Sequence, residues 1–105
     1  MSYCESVYAV VGQVPRGRVT TYRLIASALG NPRGCRAAGN ALNRNPDPVG
    51  VPCYRVVKSD GTLGGYNGGL PEKIRRLRAD GIEVRDNRVL SFDRILFSPA
   101  PLKRS

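Results

Sequence analysis

Cys53 stands between Pro52 and the pair Tyr54-Arg55, just ahead of the apolar Val56-Val57, and a thiol presented in that way could act as a nucleophile. Pro52 fixes the backbone on one side and the Val56-Val57 strand signal pins it on the other, so the sulfur has little freedom to wander. Taken alone, a cysteine is more often a small buried hydrophobe than a reactive thiol. A reactive thiolate needs a lowered pKa, supplied by an adjacent cation, a helix N-terminus or a hydrogen-bonding base. Arg55 offers the cation. The chain contains no histidine, which excludes a Cys-His pair of the protease kind and any His-bearing zinc site.

The segments before Cys53 have a helical pattern. Ser2-x-x-Glu5 is a capping box, and Val7, Val10, Val11 and Val14 follow at helical spacing, so a first helix is expected over about residues 3–13. Pro15-Arg16-Gly17 turns the chain, and Val19 opens a short extended piece. Thr20 or Thr21 caps a second helix with an apolar face of Leu24, Ile25, Ala28 and Leu29 and a stop at Gly30. Asn31 as N-cap and Pro32 as first helical residue predict a third helix over about residues 32–44, completing a helix-turn-helix. One face of this helix is small: Ala37, Ala38, Ala41 and Leu42. Another carries Arg33, Arg36, Gly39, Asn40 and Asn43, and Arg and Asn are side chains that hydrogen-bond base edges. An ordinary solvated helix face is the alternative.

Asn45-Pro46-Asp47-Pro48 is a rigid linker into the cysteine segment. Beyond Val56-Val57, the turn signal Ser59-Asp60-Gly61 and a returning Thr62-Leu63 predict a hairpin of the kind a helix-turn-helix domain carries as a wing. Gly64-Gly65-Tyr66-Asn67-Gly68-Gly69 is a loop whose permissive backbone lets a planar ligand approach, with Tyr66 and Asn67 to stack and hydrogen-bond; a plain flexible connection is the other reading. Pro71 opens a helix with Ile74 and Leu77 inward that ends at Asp80-Gly81, and Ile82-Glu83-Val84, Asp86-Asn87 and Val89-Leu90 predict a last hairpin. The tail to Ser105 is expected to pack Ile95, Leu96 and Phe97 loosely before fraying. The fold class expected is mostly α with small β elements, a winged helix-turn-helix-like DNA-binding domain. It forms one domain over residues 1–105, with a core of about residues 3–84 and a C-terminal hairpin and tail over 85–105.

Seventeen Lys and Arg against eight Asp and Glu give a net charge of +9. No acidic residue stands between Glu5 and Asp47, while Arg16, Arg18, Arg23, Arg33, Arg36 and Arg44 fall in that window. One-signed charge at this density repels itself unless a polyanion neutralises it, and a phosphate backbone is the commonest partner. A solvated basic surface in a heat-adapted protein is the bland alternative. A hydrophobic fraction of 41% argues for a folded globule, no apolar run is long enough for a membrane span, and three cysteines at irregular spacing do not make a disulfide framework. The expected setting is cytoplasmic and DNA-associated, or nuclear in a eukaryote.

Pro52-Cys53-Tyr54-Arg55-Val56-Val57 followed by Gly64-Gly65-Tyr66-Asn67-Gly68-Gly69-Leu70 resembles the active-site region of O6-alkylguanine-DNA alkyltransferases. The likeness runs through Tyr22, Gly30-Asn31-Pro32, Arg36 and Asn45-Pro46, over about residues 3–84. The resemblance implies a domain that binds the minor groove and turns a damaged guanine into a pocket. It implies Cys53 as alkyl acceptor and Arg36 as the finger filling the gap in the stack. Tyr22 would sit beside the flipped nucleotide and assist guanine as leaving group, Asn45 would brace the active-site turn, and Tyr66, Asn67 and Gly68 would line the base pocket. Arg33, Asn40, Asn43 and Arg55 complete the expected DNA contacts. No cofactor or metal is implied; the partner is double-stranded DNA containing O6-alkylguanine, engaged by a monomer, with a fused or separate repair partner possible.

The family's usual His after the cysteine, backed by Glu, is here Tyr54 with Asp80, and its usual Ser is Asn67. Either Tyr54 and Asp80 pass a proton through water, or thiolate formation leans on Arg55 and backbone dipoles, or Cys53 reacts slowly. Two rival readings are open at this point. One is an alkyltransferase-like protein that binds the lesion without chemistry and recruits another repair pathway, against which the retained cysteine speaks. The other is a plain winged-helix regulator, which would leave the glycine-rich loop without a task.

Overall fold

The computed structural model describes residues 2–47 and 50–101. Pro48 of the expected linker and the end of the tail lie outside them. Helix α1 spans Tyr3–Val11 and is capped as its sequence requires, the Glu5 amide donating to Ser2 Oγ at 3.1 Å. It buries Val7, Val10 and Val11 and stops at Gly12, short of residue 13, because Gln13 and Val14 bond back to Val10 and Val11 in tighter turns. Strand β1 is the pair Thr20–Thr21, and α2 follows at once over Tyr22–Ala28 with Thr21 Oγ1 accepting from the Leu24 amide. Gly30 closes it at φ +85°.

Helix α3 covers Cys35–Leu42 and is shorter than its sequence signals suggest. The Asn31 amide donates to Ala26 O at 3.0 Å and the Gly34 amide to Asn31 O at 2.9 Å, so Asn31 is still finishing α2 and cannot cap the next helix. Gly34 takes the cap position without a side-chain bond, and Arg33 lies in the turn before the helix. The inward face of α3 is Ala38, Ala41 and Leu42; Ala37, expected among them, is exposed. Helices α1, α2 and α3 pack on one another around Val7, Val10, Val11, Ile25 and Ala38, the small alanines allowing close approach.

A single 3-10 turn over Cys53–Arg55 leads into β2, Val56–Val57. The expected return of Thr62 closes on the Lys58 amide, which donates to Thr62 O at 2.8 Å, but the ladder goes no further and two other pairings take its place. β2 lies parallel to β1, with Thr20 opposite Val56 and Thr21 opposite Val57, while Thr62 bridges Arg88 and the Leu63 amide donates to Asn87 O at 3.1 Å. The Ser59-Asp60-Gly61 turn itself forms: Asp60 Oδ1 holds the Thr62 amide at 3.0 Å and the Gly61 amide reaches Lys58 O at 2.9 Å. The returning segment is then drawn to the C-terminal hairpin, where Arg88 also donates to Asp60 O at 2.6 Å.

Helix α4 spans Leu70–Ala79, and the hairpin β3, Val84–Arg85, with β4, Arg88–Val89, turns through Asp86 and Asn87 at φ 52° and 62°. Both central residues sit in the left-handed region that a two-residue hairpin turn of this hand requires. A short α5 over Phe92–Ile95 follows. The chain after it is held more firmly than expected. Val19 donates to Ile95 O at 2.9 Å and accepts from the Phe97 amide at 2.7 Å, Arg18 reaches Ile95 O and Leu96 O, and Gln13 exchanges two bonds with Ala100.

The core has two parts. Cys53 and Val56 belong to the part built on α1, α2 and α3; Tyr54 and Val57 join Leu63, Leu77, Ile82, Val84 and Val89 in the other. The cysteine segment thus runs along the seam, its successive side chains locked on opposite sides. Tyr66 packs against both parts.

Candidate active site

Cys53 is 6% exposed. Asn45 Nδ2 donates to Val51 O at 2.9 Å and approaches Cys53 Sγ at 3.4 Å, while Asn45 Oδ1 accepts from the Asp47 amide at 3.0 Å. One amide thus ties the turn and touches the sulfur. The parallel pairing of β1 with β2 sets Tyr22, the first residue of α2, beside the cysteine segment. Its hydroxyl donates to Gly65 O at 3.3 Å.

A pocket of about 630 Å³ opens in front of the thiol, with walls that include Tyr22, Arg36, Asn40, Cys53, Tyr66 and Asn67. Gly39 and Asn43 of α3 side also line it, so the face read as a recognition surface is continuous with the cavity. Behind the thiol is a second hollow of about 180 Å³, shared by Asn45, Cys53, Tyr66, Asn67, Gly68 and Arg76. Two glycines shape the loop between them. Gly64 has φ +69°, and a Cβ there would stand 3.2 Å from the Tyr22 hydroxyl; at Gly68 it would meet the Tyr66 ring at 2.8 Å. Burial, together with the Cys53 charge, raises the pKa of Tyr22 and of Tyr66 above the usual phenol value, so both are neutral hydrogen-bonding groups at pH 7.

The other expected residues fall in two sets. Arg36, Asn40 and Asn43 are exposed beside the pocket, with Arg33 exposed in the turn before α3. Arg55 is placed elsewhere. Its Nε meets Asp80 Oδ2 at 2.7 Å and its Nη1 reaches Val14 O at 2.9 Å, with the pair's side chains only 14% and 7% exposed. The Tyr54 hydroxyl donates to Asp80 Oδ1 at 3.1 Å, and the Arg55 guanidinium lies 5.2 Å from the Tyr54 ring centre. Burial raises the Tyr54 pKa, with the Asp80 charge adding to the effect. These three residues close on one another rather than on the thiol or on solvent.

Sequence reasoning missed Lys73. It is 0% exposed, and its Nζ donates to Val56 O at 2.7 Å, to Gly65 O at 3.0 Å and to Leu63 O. Desolvation lowers its pKa to about 8, against a smaller upward pull from the Cys53 charge. One signal was available: Lys73 lies four residues before the inward Leu77, on the same helix face. Arg23, within the acid-free window, and Lys58, outside it, add two further cations to the pocket wall.

The match to known proteins is specific. Residues 2–82 fit the family described as 6-O-methylguanine DNA methyltransferase, DNA binding domain. The chain belongs to this family. It is 50% identical over 102 residues to a bifunctional methyltransferase/endonuclease of Picrophilus torridus, covering 93% of this chain and 34% of that protein. It is 45% identical over 82 residues to a methylated-DNA--protein-cysteine methyltransferase of Methanothermobacter thermautotrophicus, covering 78% of this chain and 46% of that one. The chain thus spans about a third to a half of the length of these curated relatives. Among solved structures it resembles S. pombe Atl1 in complex with damaged DNA containing O6-carboxymethylguanine, with TM-score 0.81, 28% identity and 91% and 94% of the two chains covered. It also resembles Mycobacterium tuberculosis OGT in complex with DNA, with TM-score 0.74, 33% identity and 77% and 49% covered. These likenesses support the helix-turn-helix class and DNA binding. Among the described residues no helix is long and apolar enough to cross a membrane.

Proposed function

We propose that this chain repairs DNA by accepting the alkyl group of an O6-alkylguanine on Cys53, once per molecule. The observation that carries the reading is the buried Cys53 sulfur lining a pocket of about 630 Å³ whose mouth is set with Arg36 and Asn40 of α3. A duplex hides O6 against the partner base, so a thiol fixed inside a pocket reaches it only after the nucleotide is extruded. Arg36 fills the vacated place in the stack, Arg33, Asn40 and Asn43 flank the backbone, and Tyr66, Asn67 and Gly68 enclose the base.

In the transfer step the Cys53 thiolate attacks the alkyl carbon, a C–S bond forms, and the C–O6 bond breaks with its electron pair going to guanine. The departing base takes up one proton, matching the one the thiol released, with the neutral Tyr22 hydroxyl positioned to support the charge on the leaving base. Asn45 holds the turn and the sulfur. The thioether has no facile reverse reaction, so the protein is consumed. The names of the Picrophilus torridus and Thermoplasma volcanium relatives, bifunctional methyltransferase/endonuclease, support a setting in which this unit works beside a nuclease, fused or separate.

A second reading, lesion binding without transfer, is favoured by the near-complete coverage of S. pombe Atl1, at 94% of that chain. Intact-mass analysis after incubation with an O6-methylguanine duplex separates the two. Transfer adds one methyl to wild type, mapped to Cys53, and none to Cys53→Ala. Tight lesion binding with no added mass would overturn transfer.

A further inference from the structure

The pocket in front of Cys53 is lined by three cations, Arg23 of α2, Arg36 of α3 and Lys58 in the turn after β2, and, among the described residues, by no carboxylate. Arg36 already has its place in the vacated stack. Lys58 belongs to a wall that α3 does not supply, next to Ser59 and the glycine loop. Its backbone is pinned twice: the Lys58 amide donates to Thr62 O at 2.8 Å, and Lys58 O accepts from the Gly61 amide at 2.9 Å. A Cβ at Gly64 would lie 3.5 Å from Lys58 Cγ and 3.2 Å from the Tyr22 hydroxyl, so the lysine stem and Tyr22 flank the same glycine. Lys58 is exposed and, among the described residues, forms no ion pair. Asp60, the acid nearest to it in the chain, has Oδ1 taken by the Thr62 amide at 3.0 Å and the Thr62 hydroxyl at 2.6 Å. Arg16 and Arg18 are different: they spend donors on Ala79 O, Ile95 O and Leu96 O and line no part of this pocket.

A nucleotide turned out of the duplex rotates about its own backbone, so its base enters the cavity while its phosphates stay at the mouth. Protein closing around those phosphates removes water from them, and an anion that loses water needs a partner charge. An ammonium is a compact charge with three donors on a flexible stem, suited to a phosphate whose bearing is not fixed by a forked contact. We propose that the Lys58 ammonium grips a phosphate of the extruded nucleotide at the pocket mouth, a positioning contact supplied by the turn after β2 rather than by the helix-turn-helix. The proposal rests on the extruded-base reading of the pocket and adds a group that holds the flipped state from a second element. Tyr22 and Lys58 then meet the same nucleotide from either side of Gly64, the phenol at the base and the ammonium at the backbone.

The test is a cycle between side chain and phosphate. Binding to an O6-methylguanine duplex is measured by fluorescence anisotropy in a Cys53→Ser background, which removes the thiol acceptor, and each phosphate flanking the lesion is replaced in turn by an uncharged methylphosphonate. Lys58→Met is expected to bind the all-phosphate duplex about tenfold more weakly, with a salt slope reduced by about one, and Lys58→Arg to keep most of the affinity. At one of the two positions the methylphosphonate should weaken binding about tenfold when Lys58 is present and hardly at all in Lys58→Met. Equal losses with and without Lys58 at both positions would overturn the proposal. Extrusion is read separately, from the fluorescence rise of 2-aminopurine placed beside the lesion. A rise accompanied by additive losses removes the Lys58 contact and leaves the pocket reading in place; no rise removes both. Because the thiol is absent throughout, a protein that binds the lesion without accepting its methyl group would fail the mass assay and still show the cycle.

Discussion

At the scale of single residues, the substitution of Tyr54 and Asp80 for the family's His and Glu changes what this pair can do. The Tyr54 phenol is kept protonated by burial and donates its hydrogen to Asp80, so at neutral pH it is no base for the proton of a thiol. Of the three routes the sequence leaves open, the proton relay through Tyr54 thereby loses its base, and Arg55 is spent on Asp80. Asp80, Arg55 and Tyr54 instead tie the end of α4 to the turn that carries Cys53. Removing one member of a buried pair leaves the other charge uncompensated. Asp80→Asn is therefore expected to lower the unfolding free energy in urea by about 3 kcal/mol, and Tyr54→Phe by about 1 kcal/mol. The pH midpoint of Cys53 alkylation in Tyr54→Phe is expected at the wild-type value; a midpoint raised by a full unit would restore the phenol as base.

At the scale of elements, the position of α3 is what suits Arg36 to the task proposed for it. The helix packs through Ala38 and Ala41, and its outer face, with Gly39 level with the Tyr22 ring, is low enough for a groove floor to come close. Arg36 then projects past neighbours of almost no bulk. Arg36→Ala should weaken binding to an O6-methylguanine duplex at least about tenfold more than binding to undamaged duplex, measured by fluorescence anisotropy, because a finger acts only on the extruded state. Equal losses on both would remove that assignment. The glycine loop carries a separate expectation. A methyl at residue 64 combines φ +69° with a 3.2 Å contact to the Tyr22 hydroxyl, so Gly64→Ala should cost about 1–2 kcal/mol in thermal unfolding and slow transfer.

What was legible in the chain follows from how local each signal is. Capping at Ser2 and Thr21, the left-handed stop at Gly30, the Asp86-Asn87 turn and the thiol motif are all decided within a few residues. The missed features depend on residues far apart. Val56-Val57 takes Thr20-Thr21, more than thirty residues earlier, as its strand partner rather than the nearer Thr62-Leu63, a choice between segments that local patterning does not encode. The true start of α3 depended on Asn31 being engaged to Ala26, a bond that the favourable Asn-Pro pattern conceals. Lys73 was passed over because a lysine reads as surface, and the three carbonyls that accept its ammonium come from three separate segments.

At the scale of the whole molecule, charge governs two measurable dependences. A net charge of +9 with Arg16, Arg18, Arg23, Arg33, Arg36 and Arg44 in one acid-free window predicts that duplex affinity falls linearly with the logarithm of salt, as counterions are released from the phosphates. A flat salt profile would contradict a phosphate-binding face. Stability should depend on pH in a less common direction. The folded-state pKa of Lys73 is lowered from 10.5 to about 8, so between those values the unfolded chain holds a proton that the folded chain has released. Stability rises with pH wherever the unfolded state binds more protons, so it should climb from about pH 8 upward. The buried tyrosines act in the opposite sense. Tyr22, Tyr54 and Tyr66 have folded pKa values raised above 10.0, and their contribution is lost as pH climbs through that range. The urea midpoint of wild type is thus expected to increase from about pH 8 to about pH 10 and to decline beyond, while Lys73→Met shows only the decline. The same titration keeps Lys73 charged at pH 7, the state in which it donates to three backbone carbonyls. A wild-type midpoint that stays level across pH 8 to 10 would mean that the lysine is not desolvated in the folded chain.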